Sequence, residues 1–256
     1  MCTAVILHRP GHVWPLIFGA NRDEMRDRPW RAPGRHWPER PQVVAGLDIL
    51  SGGAWLGVND EGVLAAVLNQ PDSLGPAAGK RSRGELVLEA LDHAEAREAA
   101  KALADIDPAA YRGFHVIVAD PRHALWLRHP GTETGEVCIQ PIPEGVSMLT
   151  AQDLNDAETS PRIAYHLPRF RAAVPPDPGR GGWSAWERAL ASREKSAGAP
   201  RDAAMSYELE NGFGTVAATL VALPAYPARP DAEPRRPVMR FAAGRPDRAG
   251  FYSVSV

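Results

Sequence analysis

The chain has 256 residues, 44% of them hydrophobic and 23% charged, a composition typical of globular proteins that bury a core. Its 29 Lys and Arg residues face 31 Asp and Glu residues, for a net charge of −2, which argues against a nucleic-acid-binding protein, since those normally carry a basic excess. No apolar run approaches about 18 residues, and the first one, residues 4–7, is too short for the core of a signal peptide; we therefore expect no membrane span and a cytoplasmic location.

The N-terminal part of the chain alternates short apolar runs with turn signals, which predicts strands. The predicted strands cover residues 2–7, 14–20, 43–45, 54–58 and 63–68. The segment from Asn59 to Gly62 separates the last two and predicts a hairpin turn with Gly62 at a positive φ. The Pro-, Trp- and Arg-rich segment 29–41 is predicted to be a loop packed by Trp30 and Trp37.

The rest of the chain groups its helices and strands in runs. Ser82 followed by Glu85 has the spacing of a capping box, which predicts a helix over 83–91. Further predicted helices cover 94–104, 161–170 and 183–192, and further strands cover 114–119, 125–129, 137–141, 146–150, 213–223, 238–243 and 251–256. A linker is expected at 175–182 and a mobile loop at 225–237. Segregated runs of this kind predict an α+β fold with antiparallel sheets.

Cys2 directly follows the initiator methionine, and removal of Met1 would leave a thiol and a free α-amino group on one residue. An α-amino group, with a pKa of about 7.7–8, can act as a general base for an adjacent nucleophile. The alternative is that Cys2 is a small buried residue of the first strand. If Cys2 is a nucleophile, the α-ammonium and Arg22 should lower its thiol pKa below about 8.5. It should then react faster than Cys138, which we expect to be unpaired and buried on a later apolar strand.

Two other strand ends carry polar side chains that could complete a site. In the tetrad Asn21-Arg22-Asp23-Glu24, Asp23 could orient the α-ammonium, and Arg22 could bind a substrate carboxylate or pair with Glu24. Asn69 ends a later strand and could donate a hydrogen bond to an oxyanion. The ordinary alternatives are a solvated turn with an Arg–Glu ion pair and a turn-forming asparagine.

An ordered set of short motifs runs along the chain. The motifs are Met1-Cys2-Thr3, Asn21-Arg22-Asp23-Glu24, Arg28-Pro29-Trp30, Gly53-Ala54-Trp55-Leu56-Gly57-Val58-Asn59 with Gly62, Leu68-Asn69, Lys80-Arg81-Ser82-Arg83-Gly84, Leu149-Thr150, Ser160-Pro161-Arg162 and Phe213-Gly214-Thr215. Together they resemble the NRDE family, also called the transport and Golgi organisation protein 2 family. The resemblance implies a single NRDE-family domain over residues 1–256.

That family in turn resembles the N-terminal-nucleophile cysteine hydrolases, such as bile salt hydrolases and penicillin V acylases. The resemblance implies a four-layer αββα sandwich, with two antiparallel sheets between two helical layers. It also implies that Cys2 matches the nucleophile, Asp23 the aspartate that contacts its amino group, and Asn69 an oxyanion-hole amide. Gln152 is the nearest candidate for a second oxyanion amide. One position departs from the pattern, because Ala20 stands where those hydrolases carry an arginine.

The first functional hypothesis is a thiol amidohydrolase that cleaves the C–N bond of a small acylated amine. Its catalytic residues would be Cys2, Asp23 and Asn69, it would need no cofactor or metal, and its substrate-binding residues would be Arg22, Glu24 and Gln152.

The second hypothesis is a non-enzymatic haem- or lipid-handling protein, which the resemblance implies because members of the family have been linked to haem handling and to lipid or acyl-CoA metabolism. Haem would need an apolar slot, an axial ligand and arginines for its propionates. His8, His12 and the tryptophans Trp14, Trp30 and Trp37 could supply parts of such a slot.

Overall fold

The computed structural model describes residues 2–132, 134–226 and 235–256. Met1 and most of the predicted mobile loop at 225–237 therefore lie outside the described residues. Within the ranges described, no helix combines the length and the apolar character needed to cross a membrane.

The described chain forms two antiparallel sheets and four helices. The strands are β1 (Thr3–His8), β2 (Leu16–Met25), β3 (Trp30–Gly34), β4 (Val43–Asp48), β5 (Ala54–Asn59), β6 (Leu64–Asn69), β7 (Phe114–Ala119), β8 (Ala124–His129), β9 (Cys138–Pro141), β10 (Gly145–Leu149), β11 (Phe213–Leu223), β12 (Val238–Ala242) and β13 (Phe251–Val254). The helices are α1 (Gly84–Ala90), α2 (Ala96–Ala104), α3 (Pro161–Ala172) and α4 (Ser184–Leu190). The chain divides into two compact units: unit 1 comprises Met1–Arg28, Pro143–Ala222 and Val238–Ser255, and unit 2 comprises Pro29–Ile142, Leu223–Pro237 and Val256.

Unit 1 holds a six-stranded sheet in the order β10-β1-β2-β11-β12-β13. Alternate residues of its strands, such as Val5 and Ile17, pack with α3 and α4 in one buried cluster. Successive side chains of a strand point to opposite faces of the sheet. The alternate residues in this cluster therefore form one face of the sheet, and the helices cover that face. Trp186 of α4 is fully buried there, and Gly19 on β2 leaves it room, because an added Cβ would lie 3.3 Å from the indole.

Unit 2 holds a seven-stranded sheet in the order β3-β4-β5-β6-β7-β8-β9, with every strand paired to its neighbour in sequence. One face of this sheet packs with α1 and α2 in a second buried cluster. The start of helix α1 approaches the residue before β5 closely, because both of these residues, Gly84 and Gly53, are glycines. A Cβ added to Gly53 would lie 2.6 Å from the carbonyl carbon of Gly84.

Most predicted elements agree with the structure to within a few residues, and Gly62 has the predicted positive φ, at +85°. Two local predictions are wrong. The segment 29–41 contains a strand, β3, which pairs along β4. The capping box at Ser82 does not form, because the Glu85 carboxylate instead accepts a hydrogen bond from the Tyr111 hydroxyl at 2.6 Å and pairs with Arg81.

The contact between Gly53 and Gly84 generates a stability prediction. We expect Gly53→Ala to lower the free energy of unfolding by about 1–3 kcal/mol, because overpacking against backbone atoms cannot be relieved by a rotamer change. Gly250→Ala is the matched control, since an added Cβ there meets nothing within 4 Å. Urea denaturation of both variants measures the difference, and equal stability of the two would contradict the close helix–strand contact.

Candidate active site

Cys2 lies immediately before β1, where the β1–β2 hairpin brings it beside the polar tetrad. The two strands pair antiparallel with Thr3 opposite Asn21, so the residue before Thr3 meets the residues that follow Asn21. The Cys2 thiol is half-buried and lies 3.7 Å from the main-chain oxygen of Asp23. The structure therefore brings together Cys2 and Asp23, which are 21 residues apart in the chain.

The Asp23 carboxylate is buried and both of its oxygens accept hydrogen bonds. Oδ2 accepts from Arg162 Nη1 at 2.9 Å, and Oδ1 accepts from the Thr215 hydroxyl at 2.8 Å. The side chains of the Asp23–Arg162 pair are 0% and 5% exposed. A buried carboxylate needs this compensation, because desolvating an unpaired charge is costly.

Arg162 is held by more than its ion pair with Asp23. Its guanidinium also donates to the Thr3 hydroxyl and, through Nε at 2.9 Å, to the main-chain oxygen of Asp202. The guanidinium carbon lies 5.1 Å from the centroid of the Tyr207 ring. Burial raises the pKa of the Tyr207 phenol, which therefore stays neutral beside the charged pair.

Sequence reasoning did not identify Arg162 as a site residue, although the motif that contains it was recognised. Ser160 is the N-cap of α3 and its hydroxyl accepts a hydrogen bond from the amide of Ile163, while Pro161 occupies the first turn. This is a strong helix-start signal. It fixes the first turn of α3 and hence the place of Arg162, but the partner of the guanidinium is set only by the packing of α3 on β1 and β2.

The surroundings of Cys2 disfavour its thiolate. Burial raises the pKa of the Cys2 thiol, and the negative charge of Asp23 raises it further, while Arg22 lowers it. In a chain that retains Met1, desolvation therefore disfavours the charged form more than Arg22 favours it. The expectation of a lowered thiol pKa concerns Cys2 with a free α-amino group of its own, and it stays a prediction.

Asn21 of the tetrad has a structural contact that the sequence did not reveal. Its side-chain amide donates to the main-chain oxygens of Leu190 at 2.9 Å and Met205 at 2.8 Å. Leu190 is the last residue of α4, so Asn21 satisfies a carbonyl that the helix leaves unpaired at its end. It thereby links the end of α4 and Met205 to β2.

Arg22 and Glu24 lie on either side of Asp23 in β2. Arg22 is buried and close enough to Cys2 to affect its thiol electrostatically. The Glu24 carboxylate accepts a hydrogen bond from the amide of Met25 at 2.8 Å and lies 3.6 Å from Arg28. The predicted role of both residues in substrate binding stays a prediction.

Gln152 lies on a small cleft of unit 1. The cleft has a volume of about 160 Å³ and is lined by the turn after β10, the first residues of α3 and a segment that includes Asp202. The Gln152 side-chain oxygen accepts a hydrogen bond from the Thr150 hydroxyl at 2.9 Å. Arg162 contributes to the same cleft, which therefore borders the Asp23 pair.

Asn69 is the last residue of β6 in unit 2, where it is half-buried and pairs across the sheet with Phe114. Its predicted meeting with Cys2 stays a prediction. The expectation that Cys138 is buried is wrong, because all four residues of β9 are exposed at the edge of their sheet. Within the part of the chain that the structure describes, no three His, Cys, Asp or Glu side chains are grouped so that they could hold a metal ion.

Comparison with known proteins finds a family whose profile matches most of this chain. The profile of the Transport and Golgi organisation 2 family matches residues 1–177. The chain is 36% identical over 114 residues to a Transport and Golgi organization protein 2 homolog of Bos taurus, and 34% identical to the one of Homo sapiens. Each alignment covers 43% of this chain and only 40% of the relative's length.

Solved structures resemble the chain over its whole length. One is an N-acylethanolamine-hydrolyzing acid amidase ortholog of Caenorhabditis elegans, with a TM-score of 0.56 and 14% identity. The superposition covers 99% of this chain and 100% of the amidase chain. Penicillin V acylase from Agrobacterium tumefaciens covers 100% of this chain and is 86% covered, with a TM-score of 0.59 and 12% identity. At such low identity the likeness speaks for the fold alone, and it confirms the predicted α+β fold of the N-terminal-nucleophile hydrolase type with two antiparallel sheets.

The buried ion pair predicts a large and coupled loss of stability. We expect Arg162→Leu to lower the free energy of unfolding by about 3–5 kcal/mol, because it leaves the Asp23 carboxylate buried without its cation. Adding Asp23→Asn should recover part of this loss. Denaturation of the single and double variants at neutral pH measures the coupling, and strict additivity would contradict it. Arg35→Leu, which breaks the exposed pair with Asp60, is the control and should cost about 0–1 kcal/mol.

The two cysteines predict an order of chemical reactivity. In a chain that retains Met1, iodoacetamide at neutral pH should modify the exposed Cys138 before Cys2, because the thiolate is the reactive form and burial raises the thiol pKa of Cys2. The relative rate at Cys2 should increase as the pH is raised. Peptide mapping after limited alkylation gives both rates. Faster labelling of Cys2 at neutral pH would show that its thiol is activated without a free α-amine.

Proposed function

The chain belongs to the Transport and Golgi organisation 2 family, and from this premise we propose that it is a thiol amidohydrolase that cleaves the C–N bond of a small acylated amine. Cys2 is the proposed nucleophile. The observation that carries the proposal is the contact of the Cys2 thiol with Asp23, whose carboxylate is locked by Arg162 and Thr215. The hydrolase-type fold of the whole chain supports it.

The raised thiol pKa assigns a specific task to the α-amino group of Cys2. With Met1 removed, this amine takes the proton of the thiol, and the thiolate attacks the amide carbonyl carbon to form a C–S bond. The tetrahedral intermediate collapses with cleavage of the C–N bond, and the amine leaves with the proton that the α-ammonium returns. Water then hydrolyses the thioester, releasing the carboxylic acid and the free thiol. Asp23, whose main-chain oxygen contacts the thiol, is the residue proposed to stabilise the ammonium form that follows this proton transfer.

The oxyanion of the intermediate needs hydrogen-bond donors. We propose that Asn69, a backbone N–H and the side-chain amide of Gln152 provide them. The contact of the Gln152 oxygen with Thr150 leaves its NH₂ group as the donor. Leu149 pairs with Ala4 across β10 and β1, so the turn with Gln152 leaves the sheet at the end of β1 where Cys2 lies.

The absence of an arginine at position 20 is compensated, in this proposal, by Arg162. Arg22 acts on the Cys2 thiol electrostatically, whereas Arg162 makes the hydrogen-bonded ion pair with Asp23 from a different element, α3. The two arginines thus share the electrostatic role around Cys2 and Asp23.

Haem or lipid handling remains the alternative hypothesis. Several of its candidate residues have structural contacts: Trp14 belongs to the buried cluster of unit 1, the Trp37 indole N–H donates to Gly52, and the ring of His12 accepts a hydrogen bond from the amide of Trp14. A shifted Soret band on mixing the protein with haem would support this alternative.

The proposed activity predicts a defined set of variant effects. Protein with Met1 removed should release nitroaniline from a hexanoyl nitroanilide, and intact mass should show a hexanoyl adduct on Cys2. Cys2→Ala should abolish both signals. Asp23→Asn should reduce kcat/KM by about 10²–10⁴-fold, the range typical of groups that assist proton transfer.

Cys138→Ala is the matched control and should behave as the parent protein, because that thiol is exposed on an edge strand. Turnover that survives in Cys2→Ala would contradict the proposal. So would the absence of any adduct in Met1-free protein that is folded by circular dichroism.

A further inference from the structure

Building on the proposed function, we propose that the cleft at the start of α3 binds the amine portion of the substrate, and that this amine carries a second, positively charged group recognised by Asp202. The cleft is named here the α3 cleft. Its lining residues from the start of α3 are Ser160, Pro161 and Arg162. The substrate would be a monoacylated diamine.

The α3 cleft borders the reacting group through shared residues. Arg162 lines the cleft and at the same time contacts Asp23 and Thr3, the neighbours of Cys2 in space and in sequence. Thr150 and Gln152 also line it, and they follow the strand that pairs along β1. A ligand in the cleft is therefore separated from the Asp23 carboxylate by the Arg162 side chain.

The size of the α3 cleft limits the ligand to a compact group. Its volume is about 160 Å³, and an engineered protein cavity of about 150 Å³ binds benzene, so a chain of about six non-hydrogen atoms fits. Pro161, Pro200 and Ala203 supply apolar wall for methylene groups. An acyl chain of lipid length does not fit, and Asp202 in the lining favours a charged amine portion over an apolar acyl chain of similar size.

The charges around the α3 cleft favour a cation. The positive charge of Arg162 is balanced by Asp23, and the Tyr207 phenol is neutral. The main-chain oxygen of Asp202 accepts a hydrogen bond from Arg162. Among the described residues, none forms a hydrogen bond or an ion pair with the Asp202 carboxylate. One negative charge is thus left over beside a partly desolvated cleft, where a charge–charge interaction is stronger than in bulk water.

A substrate series with one acyl group tests the charge preference. Hexanoyl amides of diaminobutane, aminobutanol, pentylamine and aminobutyrate have similar lengths and carry a positive, a hydroxyl, an apolar and a negative end. We expect kcat/KM to be highest for the diaminobutane amide, by roughly tenfold over the pentylamine amide, which corresponds to about 1.4 kcal/mol. In Asp202→Asn this preference should fall to within about twofold, as expected when the ion pair is lost.

Glu158→Gln is the matched control, because it removes the same charge from an exposed residue of the turn before α3 and should keep the preference. Equal rates across the series, or a preference that survives in Asp202→Asn, would overturn the inference. These results would leave the amidohydrolase proposal standing, since that proposal requires only that some amide acylates Cys2.

Direct binding tests the α3 cleft even if no amide is cleaved. Calorimetric titration of Cys2→Ala with diaminobutane should show saturable binding that weakens by roughly tenfold in the double variant Cys2→Ala, Asp202→Asn. Pentanol, an uncharged chain of similar length, should bind Cys2→Ala more weakly than diaminobutane, and this difference should shrink in the double variant. No binding of diaminobutane, or binding unaffected by Asp202→Asn, would overturn the cleft assignment whether or not the proposed hydrolysis is observed.

Discussion

The buried ion pair between Asp23 and Arg162 is the interaction on which the organisation of unit 1 around Cys2 depends. A carboxylate that is wholly removed from solvent needs both a cation and hydrogen bonds to remain ionised at modest cost. Arg162 of α3 and Thr215 of β11 meet this need at the two different carboxylate oxygens. The guanidinium in turn requires the Thr3 hydroxyl of β1 and the Asp202 carbonyl. One charge in β2 therefore fixes the mutual positions of three strands, the start of a helix and a connecting segment.

The same carboxylate has opposing effects on the chemistry proposed for Cys2. Its negative charge favours an ammonium group on the neighbouring main chain, but it also raises the pKa of the Cys2 thiol, to which burial contributes more. A thiol in these surroundings is a poor nucleophile by itself. An N-terminal amine adjacent to it supplies both a base and a compensating positive charge, which gives a physical reason for placing the cysteine at the position that methionine removal would expose.

The tetrad Asn21-Arg22-Asp23-Glu24 at the end of β2 contributes both to the packing of unit 1 and to the candidate site. Asn21 donates to the end of α4 and to Met205. Asp23 forms the buried ion pair, and Glu24 lies beside Arg28. Because successive residues of a strand face opposite sides of a sheet, four consecutive polar residues in β2 reach several different neighbours. This arrangement explains how so short a motif can include both structural and functional roles.

The sequence by itself determined most of the element types, the turn at Gly62, the family, the hydrolase-type fold and the candidate pairing of Cys2 with Asp23. These depend on local periodicity, on turn chemistry and on motifs that are contiguous in the chain. Only the tertiary structure decided that Arg162 is the partner of Asp23, that Asn21 caps α4, that Cys138 is exposed and that the thiol pKa of Cys2 is raised. Arg162 is 139 residues from Asp23, and no local pattern specifies which distant side chain enters a buried site. The pKa and exposure of a thiol are likewise set by everything packed around it, and the sequence leaves that packing open until the helices and strands are in place.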